Sequence, residues 1–399
     1  MSGDKPEFIY LDNAATTRML PEAVSAMLPF FTETYGNASA VYEAGQLCRG
    51  AVMQSRKTIA DLIGADRDEI YFTSGGSEAD NWALKGAVEL ALDKGRKRPP
   101  HIITTAIEHH AVLHTCEWLQ KQGAEVTFIQ PDMEGFINPE EVERAIREET
   151  VLISVMLANN EIGTVEPVAR IGQIAHDHGI LFHTDAVQAY GQIPVSVKDM
   201  GIDLLSASSH KLYGPKGVGF LYIRRGIQLP AFIHGGGQER GKRAGTENVP
   251  GIVGFAKAAE AAGKRMKDRM EHERCLRNQL IRQIMGRIPG TLLNGPAAAE
   301  DERFSEIRRL PGNANFCFEG VDGEALLALL DMQGICASSG SACSAGSLDP
   351  SHVLLAVGRN HAQARSSVRF SIGAFNTKEE ITQTAEILEQ DVRKLRAYT

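Results

Sequence analysis

The sequence predicts an α/β fold built on a mainly parallel sheet, followed by a smaller α+β unit. Two observations carry this. Short apolar, β-branched runs alternate with segments of helical periodicity over the first two thirds of the chain. Around Pro250 the texture then changes to one long helical pattern followed by mixed short elements. Composition agrees: 399 residues, 43% hydrophobic and 23% charged, can bury a large core without disulfide or metal staples.

In chain order, the strand-like runs are Glu69–Thr73, Ile102–Thr105, Glu125–Ile129, Val151–Leu157, Ile180–Thr184, Asp203–Ala207 and Val218–Ile223. Helical patterns at Ala79–Leu92, Val112–Gln122, Pro139–Arg147 and Ile171–His178 separate most of them. Such alternation implies helical crossovers on both faces of a parallel sheet, so a mixed, mainly parallel seven-stranded sheet is expected. One link differs. Ten residues, including Gly214, Pro215 and Gly217, join Ala207 to Val218, too few for a crossover helix. The last strand should therefore run antiparallel to its predecessor. Past Pro250, Ile252–Ile288 reads as one or two helices, with Met266, Met270, Leu276, Leu280 and Ile284 at helical spacing. Strands at Ala314–Glu319 and Ser367–Ser371 and helices at Gly323–Asp331 and Lys378–Tyr398 form the second unit. The small-residue run Ala337–Pro350 cannot pack a core and reads as a mobile loop.

Several classes of function are disfavoured. Lys plus Arg number 42 and Asp plus Glu 50, a net charge of −8, which does not suit a general nucleic-acid surface. No run approaches the ~18 apolar residues a membrane helix needs, and the N-terminus lacks a signal-peptide layout. No membrane role is therefore expected, and the cytoplasm is the expected location. Six cysteines are too few for a disulfide framework and show no Cys-x-x-Cys spacing for structural zinc. Cys48, Cys116, Cys275, Cys317 and Cys336 are expected to be buried apolar residues. Cys343, centred in the small-residue loop, is either incidental or a nucleophile that moves between two places.

Four strand-end motifs carry chemistry. Lys211 follows a buried run within Ser206-Ala-Ser-Ser-His-Lys-Leu-Tyr-Gly214; desolvation there frees an amine for Schiff-base formation. Asp185 ends the run at Ile180–Thr184, where a carboxylate can hold a protonated pyridine nitrogen or simply cap a helix. Together they make a minimal pyridoxal phosphate site. Ser74-Gly-Gly-Ser-Glu78, between strand and helix, offers Gly76, Ser77 and a helix N-terminus to a phosphate. His109, in Glu108-His-His110, can stack on a cofactor ring and move protons. A metal there is disfavoured, because adjacent histidines point apart and the sequence shows no acidic partner nearby.

These residues resemble those of the cysteine desulfurases of the NifS/IscS type, within the class V aminotransferase-like, fold-type I pyridoxal phosphate enzymes. The likeness rests on Tyr10-Leu-Asp-Asn-Ala-Ala-Thr-Thr17, Asn159-Asn-Glu-Ile-Gly163, Ser208–Gly217, His234-Gly-Gly-Gly237, Arg243-Ala-Gly-Thr246 and Ser338-Ser-Gly-Ser-Ala-Cys343. It implies a large cofactor-binding domain over 17–265. It also implies a small domain over 266–399 that packs against residues 1–16 and carries the cysteine loop 337–350. It further implies Lys211 as the cofactor lysine, Asp185 at the pyridine nitrogen, Gln188 at the ring hydroxyl, and His109 over the ring. Asn160 would lie by cofactor and substrate, with Gly76, Ser77, Ser208 and His210 at the phosphate. Thr246 would reach the neighbouring subunit's phosphate in a homodimer. Arg369 would bind the substrate carboxylate as a fork. The implied reaction takes sulfur from L-cysteine, leaving alanine and a persulfide on Cys343, with His109 helping to deprotonate the thiol.

The resemblance implies no resident metal, although Cys343 is a candidate transient iron–sulfur ligand. It leaves the sulfur acceptor open among an iron–sulfur scaffold, a tRNA-thiolation protein, a thiamine or molybdenum-cofactor pathway and a nitrogenase assembly partner. A selenocysteine lyase or another class V aminotransferase or lyase is the alternative, and a non-enzymatic sulfur carrier a more distant one. Two departures stand out: Tyr42 replaces the family's histidine in Asn37-Ala-Ser-Ala-Val-Tyr42, and Ser77 replaces a common threonine. The chain also ends at Thr399, where IscS-like members carry a longer tail used in scaffold docking, so this end is expected to be more NifS-like.

Overall fold

The computed structural model describes residues 8–93, 99–297, 307–339 and 350–398. Thirteen strands occur among them: β1 (Ile9–Tyr10), β2 (Ile70–Thr73), β3 (His101–Thr105), β4 (Glu125–Ile129), β5 (Thr150–Ser154), β6 (Leu181–Asp185), β7 (Leu204–Ser208), β8 (Gly219–Ile223), β9 (Thr291–Asn294), β10 (Asn313–Phe318), β11 (Ile335–Cys336), β12 (Ser338–Ser339) and β13 (Ser367–Ser371). The main sheet has seven strands in the order β2-β8-β7-β6-β5-β3-β4. The five from β7 to β4 are parallel, whereas β8 is antiparallel to both β7 and β2. The short link after β7 thus gives the antiparallel return expected of it.

Side-chain alternation explains why this sheet is covered on both faces. Leu152, Leu204 and Leu221 point into a core with Trp82, Ala83 and Val112 of the helices Gly76–Asp93 and His110–Lys121. Their neighbours Ile153, Leu205 and Phe220 point into the opposite core, against Ile171, Phe255 and Ala259. Connections leave β3 in one direction and β5 in the other, so the loops after those strands diverge at their carboxyl ends. In open α/β sheets this switch point is where ligands bind.

The helix Val249–Arg287 is continuous, about 58 Å long at 1.5 Å per residue. Its first half contributes Ile252 and Phe255 to a core of the main sheet. The second half contributes Leu276, Leu280 and Ile284 to a separate core built on β10 and β13, which Ile9 and Leu11 join. There β12-β13-β10-β9 form an antiparallel sheet and β1 pairs in parallel with β11. A buried ion pair, Arg56 to Glu239 at 2.7 and 2.8 Å, ties the helix Glu43–Asp61 to the loop after β8, and Glu239 also accepts from Phe72 N.

Two expectations need correction. The run at 151–157 is strand only to Ser154, because Val155–Asn160 turns away to form the wall of a cavity. Cys275 is exposed rather than buried: it sits on the outer face of the long helix, where its Sγ donates to Glu271. Cys48, Cys116 and Cys317 are buried and Cys336 is half-buried.

Candidate active site

A cavity of about 310 Å³ opens at the carboxyl ends of β3, β5, β6 and β7. Gly76, Ser77, His109, Asn160, Asp185, Gln188, Ser208, His210, Lys211 and Arg369 all line it. These residues come from six separate stretches of chain. Of the residues expected at the site, Thr246 does not line this cavity; it is exposed in a separate depression with Ser74 and Gly217. Cys343 lies outside the described residues.

Each position has a local cause. Asp185 is the last residue of β6 and 4% exposed, and its Oδ1 accepts from Val187 N at 2.8 Å. Burial raises its carboxyl to about 6 in spite of the Val187 bond and the charge of Lys211. Lys211 ends a short 3-10 turn directly after β7, and its Nζ donates to the carbonyls of Ala14 and Ala15 at 2.6 and 2.7 Å. Gln188 Nε2 donates to the same Ala14 carbonyl at 3.0 Å. His109 caps the helix His110–Lys121, accepting from Ala111 N through Nδ1 at 3.1 Å. Burial first, then Lys211 and the neighbouring imidazoles, push His109 down to about 4, so it is a neutral base at neutral pH. Burial first, then Lys211 and Lys216, push His210 down to about 4 as well, and its Nδ1 meets Thr16 Oγ1 at 3.1 Å.

Gly76 opens the helix Gly76–Asp93, and a Cβ built on it would lie 2.4 Å from Val187 Cγ2. The glycine therefore lets the helix N-terminus approach the strand-end loop that carries Asp185. Arg369 is 1% exposed on β13; Nη1 donates to Asn160 O at 3.0 Å and Nη2 to Asp12 Oδ1 at 2.8 Å. Its Nε is buried with no hydrogen-bond partner among the described residues, which leaves one guanidinium edge to receive an acceptor.

Three features escaped the sequence reading. The segment Asp12–Thr17 straps the site through Arg369, Lys211, Gln188 and His210; its motif was visible, but not what it touches. Met156 and Val187 line the cavity as apolar walls. Asp80 also reaches it, and carboxylate oxygens of Asp80 and Asp185 lie with a nitrogen of His109 within 4.8 Å of one another. The expectation that His109 has no acidic partner nearby is thus wrong: a helix and a strand end distant in sequence supply two.

The class-V aminotransferase family profile matches residues 9–384. The chain belongs to this family. It is 52% identical to the cysteine desulfurase IscS of Clostridium botulinum over 97% of this chain and 95% of the relative. With that of Methanosarcina thermophila it shares 50% over 97% and 93%. A solved NifS-like protein superimposes with a TM-score of 0.88 at 36% identity, covering 97% of this chain and 100% of that one. A solved SspA in complex with cysteine gives 0.78 at 37%, covering 92% and 100%. The chain is thus a cysteine desulfurase of the NifS/IscS type, with the fold of the fold-type I enzymes. This is a family of pyridoxal phosphate enzymes, and the residues of the cavity fit that cofactor: a buried carboxylate, a lysine amine, and a helix N-terminus brought close by Gly76.

Proposed function

We propose that this cysteine desulfurase holds pyridoxal 5′-phosphate in the cavity and passes the sulfur of L-cysteine to Cys343, leaving L-alanine. The observation that carries the reading is that Asp185 and Lys211, at the ends of the adjacent strands β6 and β7, line one cavity with His109 and Arg369. Gly76, Ser77, Ser208 and His210 would hold the phosphate, Asp185 the ring nitrogen, Gln188 the ring hydroxyl, and Asn160 the side facing substrate. When bound, the cofactor supplies an aldehyde that bonds amines and a ring that withdraws electrons from the substrate α-carbon.

The chain's own residues do the rest. The free edge of Arg369 orients the substrate carboxylate. The Lys211 amine takes the α-proton. His109, neutral at working pH, accepts the thiol proton of Cys343. The thiolate then attacks the substrate sulfur: an S–S bond forms, the C–S bond breaks with its electron pair going to carbon, and a proton completes alanine. Cysteine plus thiol thus become alanine plus persulfide, with no outside oxidant. Both ends of the loop are anchored by the cavity wall, which supports a role for the thiol between them. Ser338 pairs with Arg369 in the small sheet, Ser351 donates to Glu161, and His352 Nε2 donates to Glu108 O.

The reading includes a homodimer: Thr246, exposed outside the cavity, would serve a second copy's phosphate. Exposed apolar side chains concentrated between residues 24 and 47 (Val24, Leu28, Phe31, Tyr35, Val41, Tyr42, Leu47) support a buried contact there. The described cysteines are unpaired and no described helix is long and apolar enough to cross a membrane, which suits work in the cytoplasm. The persulfide would pass to an acceptor such as an iron–sulfur scaffold. In the deciding experiment, Cys343→Ala keeps its bound cofactor but loses sulfide release, and mass spectrometry of the parent finds one added sulfur on Cys343. Unchanged turnover in the variant refutes the thiol's part.

A further inference from the structure

Two aspartates meet at the floor of the cavity, and the reading above gives work to only one. Asp80 stands four residues past Gly76 on the same helix, so it shares the helix face that meets the site. It is 1% exposed, lines the cavity, and lies with Asp185 and His109 in the trio whose ligand atoms fall within 4.8 Å. Among the described residues, no cation acts on Asp80 to neutralise a second anion. His183, 3.7 Å from Asp80 Oδ1, has both ring nitrogens on hydroxyls, Ser154 at 2.8 Å and Ser206 at 3.0 Å, and burial keeps it neutral. His109 is neutral too. Lys211 acts on Asp185, and Glu108, whose own carboxyl burial pushes well above the usual range, brings no positive charge.

The Ser206 hydroxyl hydrogen-bonds the Asp80 carboxyl, but Oδ1 is buried with no hydrogen-bond partner among the described residues. A bare anionic oxygen there would be doubly unfavourable, without donor or counter-charge. A protonated oxygen instead needs an acceptor, and a carboxylate oxygen of Asp185 lies within 4.8 Å of the Asp80 carboxyl. We propose that Asp80 is a positioning residue that carries a proton, leaving Asp185 the single anion on the cavity floor and steadying it with a neutral carboxyl. Burial and the neighbouring Asp185 both push the Asp80 carboxyl well above the usual range, in agreement with this geometry.

The inference rests on the pyridoxal phosphate reading, and its test separates the two. Asp80→Asn is neutral at every pH and similar in shape, whereas Asp80→Ala removes the group. Purified apoenzymes are titrated with pyridoxal phosphate, the visible band is followed across neutral pH, and infrared difference spectra are taken of the apoproteins. Asp80→Asn is expected to bind the cofactor within about threefold of the parent, and Asp80→Ala at least about tenfold more weakly. The pH midpoint of the band should stay in place in Asp80→Asn. The parent-minus-Asn spectrum should show the C=O stretch of a protonated carboxyl at neutral pH. A missing carboxyl band, a midpoint moved by about one pH unit or more, or an alanine variant that binds like the parent each overturns the proposal. If Asp80→Ala does not fold, the infrared comparison with Asp80→Asn still decides. A parent that takes up no cofactor defeats the cofactor reading instead, and the infrared band still judges this one.

Discussion

Replacing Arg369 by lysine keeps a positive charge on β13 in the cavity wall but removes the fork. In the parent, Nη2 pairs with Asp12 at 2.8 Å, Nη1 donates to Asn160 O at 3.0 Å, and Nε has no partner. A single ammonium cannot reproduce three directions from one planar group, so it will hold Asp12 and leave the incoming carboxylate short of at least one charged hydrogen bond. Such a bond contributes about 1.5–3 kcal/mol, which corresponds to a loss of about 10- to 150-fold in kcat/KM. Lysine is the useful change because leucine would strand Asp12 without its partner and confuse binding with folding. Alanine formation measured against cysteine concentration should show the loss mainly in KM, since the groups that move protons are untouched. The cofactor's absorbance should not change. A KM within about threefold of the parent would mean that Arg369 does not hold the substrate carboxylate.

Gly76→Ala places a methyl against the stiff Val187 side chain, with 2.4 Å between Cβ and Cγ2. Pyridoxal phosphate should bind about 10- to 100-fold more weakly, and Val187→Ala in the same chain should recover most of that affinity. Equal affinity of Gly76→Ala and the parent would dismiss the close-approach argument. Glu166 is buried, accepts from Ile137 N at 2.8 Å through Oε2, and has no partner on Oε1. Burial lifts its carboxyl from 4.5 to about 8. The folded state therefore keeps a proton that the unfolded state has lost, and this contribution is full below 4.5 and disappears as pH rises through about 8. Glu166→Gln does not titrate, so urea unfolding should show it gaining about 1–3 kcal/mol on the parent between acid and mildly alkaline pH. Parallel pH profiles would count against a buried, proton-holding Glu166.

Much of the site could be read from residue types alone, because its members sit at strand ends. A strand's period and its stop are local properties, so Asp185 after Leu181–Thr184 and Lys211 after β7 were fixed by nearby sequence. Gly76 and Ser77 came from a turn between strand and helix in the same way. Asp80 could not be found this way. A polar residue early in a helix is ordinary, and only packing against the end of β6 reveals that it has no water and a second carboxyl beside it. The Asp12 partner of Arg369 is likewise invisible from either residue, since 357 positions separate them.

By itself, then, the sequence determined the alternation of strands and helices, the antiparallel return after β7, and which strand-end side chains are the candidates for the chemistry, all of which depend on neighbours a few residues apart. The tertiary structure decided what each of those side chains faces. It set the Asp12–Thr17 strap, the pairing of Arg369, the neutral imidazole of His109, and the crowding of two carboxyls under one cavity. Those depend on burial and on charges brought together from distant segments, and desolvation acts only once the chain has closed around them.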